Sequence, residues 1–186
     1  MRTVTFSDAT VAEAVNKACV STWSNRVPEF HNCSFQTEEW ILKSSPDCFA
    51  TKNFCTFFCT PDKKVLHYFT GYFSAKLFLE ELEFVKTIAE NAIDEKGKLN
   101  NAKVRELHGA RAAKRSRQSQ DTQNLTETRG DYQKQLAQRS LGEGLGYLSR
   151  VSLSLEKVNP KPLDTMIKEH LSGNNFTEEK SEPARK

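Results

Sequence analysis

His31-Asn32-Cys33-Ser34 is the stretch of this 186-residue chain best composed for thiol chemistry. If a helix opens at Ser34, the Cys33 sulfur lies at its N-terminus. Unpaired backbone N–H groups and the helix dipole there favour the thiolate. His31 adds positive charge when protonated. A mixed disulfide or sulfenic acid on Cys33 needs a second thiol to resolve it, and Cys55 or Cys48 can supply one. The bland alternative is that Cys33 is an inert loop cysteine. Cys55 and Cys59 cannot serve each other. Four strand positions separate their Cα atoms by roughly 13 Å, whereas a disulfide needs about 7 Å or less. Cys59 reads as a small core residue, and Cys19 as a buried residue at the start of a strand.

Other chemistry is less well supported. No C-x-x-C or H-x-x-x-H pair occurs, so His31, Cys33, Cys48 and Cys55 form no recognisable metal site. No cofactor is implied. His67 alternates within a strand and reads as a satisfied sheet residue. His108 and His170 fall on polar helices and carry no signal. Gly142-Glu143-Gly144-Leu145-Gly146 lacks the strand before it, and the Gly-Lys-Ser/Thr after it, that a phosphate loop needs. Close helix packing or a kink explains it better. Lys96–Arg117 holds eight basic residues and one acid. It has no aromatic side chains to stack bases, so it reads as a solvated helix and nucleic acid is not an expected partner.

The elements that must position these residues are unevenly distributed. Ten of the twelve Phe, both Trp and all five Cys fall within residues 1–83. Residues 1–83 carry 8 Lys+Arg against 10 Asp+Glu; residues 84–186 carry 19 against 14. The expectation is a core domain over 1–93, able to unfold cooperatively alone, and a basic, mainly helical extension over 94–186 with a polar connection and a frayed tail. A capping box at Thr10–Glu13 opens a first helix. Ala18–Trp23 reads as a strand, and Phe35–Ser44 as a helix. Phe54–Cys59 and Lys64–Phe73 form an antiparallel hairpin around Thr60-Pro61-Asp62-Lys63. Ser74 caps a helix to about Ile93. Further helices follow from Ala102 to Arg117, from Tyr132 to Val158 and over Leu163–Leu171. Gln118–Asp131 reads as a mobile connection.

The order of these elements, with "CVSTW" and "TFFCTPDKKVLHYFTGYFSAKLFLEEL", resembles a thioredoxin-like α/β domain over about residues 5–85. The resemblance implies a hairpin followed by a glycine and a last helix, which "KVLHYFTGYFS" fits. Two departures stand out. Only Cys33 occupies the region where the family carries Cys-x-x-Cys, and Cys55 stands where the family has a cis-proline. The short span from Trp23 to Cys55 also implies an abbreviated fold. By the resemblance, Cys33 and Cys55 face each other across the active-site groove, with Cys33 attacking and Cys55 resolving. Two functions follow: a thioredoxin-like protein with a single-cysteine redox site acting on a protein thiol or disulfide, or a non-catalytic thioredoxin-like module binding a protein partner. The chain leaves catalysis open. Met1–Val15 shows no signal peptide and no stretch approaches the ~18 apolar residues of a membrane span, so the expected compartment is the cytoplasm.

Overall fold

A computed structural model describes residues 5, 7–22, 55–70, 73–125 and 132–171. They form five helices and a two-stranded antiparallel sheet, a mixed α/β arrangement: α1 (Ala9–Ala18), β1 (Cys55–Cys59), β2 (Val65–Thr70), α2 (Ala75–Ala92), α3 (Asn101–Leu125), α4 (Tyr132–Glu156) and α5 (Leu163–Leu171). The helix expected over Phe35–Ser44 lies outside the described residues.

α1 begins earlier than the expected capping box. Asp8 is the cap, its carboxylate accepting from the backbone N–H groups of Thr10 at 2.9 Å and Val11 at 3.2 Å. A carboxylate at that point also meets the positive end of the helix. The strand expected over Ala18–Trp23 does not form in its described part: Ala18 ends α1, and Cys19–Thr22 join no sheet. β-propensity needs a neighbouring strand edge to express it.

The hairpin forms as expected, with Cys55 opposite Thr70 and Phe58 opposite His67. Its turn places Lys63 at φ 62° and closes by bonds from Lys63 N–H to the Thr60 carbonyl and from Thr60 N–H to the Lys64 carbonyl, both 2.9 Å. The register shifts between Phe58 and Cys59. Cys59 is exposed, next in alternation after the buried Phe58, where a core position was expected. β2 is buried along its whole length, because helices pack on both of its faces.

α2 starts at Ser74, whose hydroxyl accepts from Leu77 N–H. Its apolar stripe packs Phe78, Leu82 and Val85 with Phe58 and Phe69 of the hairpin. Gly97, at φ 75°, reverses the chain into α3. α3 runs on to Leu125, so the first part of the expected mobile connection is helix. Small residues let α3 and α4 approach closely: Ser119 donates to the Gly142 carbonyl at 2.7 Å, Ser149 donates to the Ala112 carbonyl at 2.8 Å, and a Cβ on Gly146 would come within 3.1 Å of the Ser119 hydroxyl. Gly142 and Gly146 of α4 therefore serve helix packing. The Tyr147 hydroxyl anchors the same helix to the end of β2, accepting from Thr70 N–H at 2.8 Å.

The core continues past the boundary expected near residue 93. Leu145 and Leu148 of α4 are buried with Phe69, Phe73 and Phe78. Val151, Leu155, Val158 and Met166 close over Val65 and Tyr68. Residues 161–163 are tied to the hairpin through Val65 N–H to the Lys161 carbonyl and Leu163 N–H to the Lys63 carbonyl. Leu148 is fully buried, so Leu148→Ala should lower the unfolding free energy by about 2–5 kcal/mol in urea titrations. A change near zero would mark α4 as peripheral.

Candidate functional site

Glu81 interrupts the apolar stripe of α2 between Phe78 and Leu82, and is itself buried. α3 answers it. His108, Arg111, Ala112, Arg115 and Ser119 recur at helical spacing and line one face. The Arg111 Nη2 group donates to Glu81 Oε1 at 2.7 Å and to the Glu80 carbonyl at 3.0 Å. Arg115 holds the same Oε1 through Nη2, and through Nε at 3.1 Å. Arg115 Nη1 reaches Glu80 Oε2 at 2.8 Å and Gln118 Oε1 at 3.0 Å. From β2, His67 Nε2 comes within 3.1 Å of Glu81 Oε2. That approach is off the line of a hydrogen bond, and both atoms are otherwise without a partner. It is an electrostatic contact rather than a directed bond.

His108 completes the cluster. Its Nε2 lies 2.9 Å from the Leu66 carbonyl, so the neutral ring donates there, and its Nδ1 is buried without a partner. The His67 and His108 rings are 5.5 Å apart, and Arg111 lies over the Phe84 ring at 4.9 Å. Burial drives the His108 pKa down from 6.5 to about 3, with His67 adding to the effect. Burial alone would raise the Glu81 pKa. His67, Arg111 and Arg115 outweigh it and hold the carboxyl well below the usual range. Burial likewise lowers the Arg111 pKa, against the pull of Glu81.

The side chains of His67, Glu81 and Arg115 are at most 1% exposed. No substrate reaches this centre directly; it locks β2, α2 and α3 together. Its outer edge opens on a groove of about 790 Å³ bounded by the start of α1, the outer face of α2 and α3, where Glu80 and Arg111 meet solvent.

The sequence-derived site residues are placed only in part. His31, Cys33 and Cys48 lie outside the described residues. Cys55 packs with Tyr68, Val151 and Leu155, and burial pushes its thiol well above the ordinary range. Cys59 reaches the surface, yet the chain around its sulfur desolvates it enough to raise the thiol to about 11. Cys19 is also raised by burial. All three are protonated thiols at neutral pH.

No protein-family model, curated protein or solved structure matches the chain. Among the described residues, no helix is long and apolar enough to cross a membrane, and no group of three His, Cys, Asp or Glu is arranged to hold a metal ion.

His108 is a buried anchor rather than a residue without a role. The basic run is not wholly solvated, because Arg111 and Arg115 turn inward. Glu81 amid apolar residues was the available signal, together with the inward stripe on α3.

Removing Glu81 leaves two buried guanidinium groups without their shared acceptor. Glu81→Ala should cost about 3–5 kcal/mol of unfolding free energy; the exposed Glu83→Ala is the control and should cost under about 0.5 kcal/mol. The acid limb of stability should report His108. Its folded pKa is depressed, so the stability it carries is complete above 6.5 and is lost as pH falls towards 3. Glu81 begins to contribute only below its ordinary value of 4.5. Between these limits wild type should lose up to about 1.4 kcal/mol per pH unit relative to His108→Gln. Parallel stability curves in that window would show that His108 takes up its proton equally in both states.

Proposed function

We propose that the chain is a non-catalytic protein-binding module, with α3 forming one wall of the binding groove. The observation that carries this reading is the division between the sealed cluster and the open groove. The groups best suited to acid–base work are buried in a network that holds the fold. The described thiols are kept protonated. What faces solvent beside them is a concave surface of mixed charge over an apolar floor. Such a surface recognises a partner without transforming it.

The thioredoxin-like reading is supported by the hairpin and by the Ser74-capped helix that follows it. Against it, Cys19–Thr22 are not in a strand. The redox mechanism would require Cys33 as nucleophile. It would also require Cys55 to resolve, a task its burial opposes.

Reduction of insulin disulfides by dithiothreitol tests the choice. The protein should give no acceleration over the uncatalysed reaction, and alkylation of Cys33 against pH should titrate near the free-thiol value of ~8.5. An acceleration that disappears in Cys33→Ser would establish thiol–disulfide exchange in place of the binding module.

A further inference from the structure

Three acids line the groove, and each is already engaged. The Asp8 carboxylate caps α1. Glu80 pairs with Arg115 at 2.8 Å, and Glu83 pairs with Lys86 at 2.8 Å. The cations are not matched in the same way. Lys76 on α2 and Lys114 on α3 are exposed, line the groove, and make no ion pair among the described residues. Arg111, at the inner edge, is itself paired with Glu81 at 2.7 Å. Lys76 and Lys114 are therefore the cations of the groove lining that no acid among the described residues pairs. Between these charges Ala75, Leu79 and the edge of Phe84 provide apolar surface.

We infer that the groove docks a short acidic amphipathic helix of a partner protein, its apolar side on Leu79 and its carboxylates between Lys76 and Lys114. This rests on the binding-module reading above and names its partner chemistry. A volume of about 790 Å³ is of the order of a small-ligand site, so it receives a few side chains from one segment rather than the surface of a domain. Two helices framing a trough with an apolar floor suit a helix laid in a groove. A polynucleotide would meet the same positive charge, but Phe84 is too deeply buried to stack a base.

The probe is a fluorescent helical peptide with leucines at i, i+3 and i+7 and glutamates flanking them, titrated by anisotropy with the full chain. Its counterparts have glutamine for every glutamate, or are an oligothymidylate. The acidic peptide should bind, weaken as salt rises, and exceed the glutamine peptide by roughly tenfold or more. A Lys76→Glu/Lys114→Glu double variant should lose roughly tenfold in affinity with an unchanged melting curve, since both side chains are exposed. Leu79→Ser should weaken both peptides. Absence of binding, equal affinity for the glutamine peptide, indifference to the double variant, or preference for the oligonucleotide would each overturn the inference. The two readings fail separately. Thiol–disulfide activity with peptide binding intact sinks the non-catalytic reading alone. Loss of peptide selectivity in a protein without thiol activity sinks this assignment alone.

Discussion

One carboxylate oxygen, Glu81 Oε1, accepts from both Arg111 and Arg115 in the interior. Moving each ion out of water costs several kcal/mol, and mutual attraction offsets this only when geometry and hydrogen bonding are good. The cluster meets that condition by drawing on three elements. α2 brings Glu81, with the Glu80 carbonyl and carboxylate beside it. α3 brings the two arginines. β2 brings His67 and the Leu66 carbonyl that receives His108. Sliding any of the three elements along another would strand a charge. Apolar contacts alone do not impose such a condition, because they are not directional.

The character of α3 follows from this. It has few large apolar residues to bury, and Val104 is the main one in the cluster with Leu66, Phe84 and Ile88. Its inner face is held to α2 by charge. Its other contact, with α4, is held by close approach of small residues: Ala112 and Ser119 meet Ser149, Gly142 and Gly146. α4 can then carry Leu145, Leu148, Val151 and Leu155 to the hairpin. A polar helix is thus incorporated between two better-packed layers.

This explains how much could be read from sequence. The hairpin, its Thr60–Lys63 turn, the Ser74 cap and the helices from α2 to α5 follow local rules, because turn chemistry, caps and periodicity are properties of a few adjacent residues. The start of α1 was misplaced because Asp8 and Thr10 both have capping side chains, and only the backbone geometry separates them. Val20 and Thr22 favour strand, but propensity cannot supply a neighbouring edge. Cys59 follows the alternation of β1, which puts it on the opposite side from the buried Phe58; its apolar type alone suggested the core. The buried cluster is the largest omission. Summing charge over Lys96–Arg117 hides that Arg111 and Arg115 share a face while Lys114 and Arg117 do not. That face becomes meaningful only beside Glu81, thirty or more positions away. Long-range pairing of two polar residues leaves a weak local trace: one acid in an apolar stripe.

The same pairing shapes the surface. Glu81 is turned inward to balance guanidinium groups, and Glu80 is drawn to Arg115 at the rim. Glu80 and Glu81 are thereby committed to the arginines, and Glu83 to Lys86. Lys76 and Lys114 both line the groove, and neither is ion-paired among the described residues. The positive field proposed to select a partner thus originates in the arrangement that fixes the core. Changing Lys76 or Lys114 alters the field and leaves the core intact, whereas changing Glu81 releases Arg111 and Arg115 and alters both. The proposed recognition would thus be coupled to folding through Glu81, and separable from it at the two lysines.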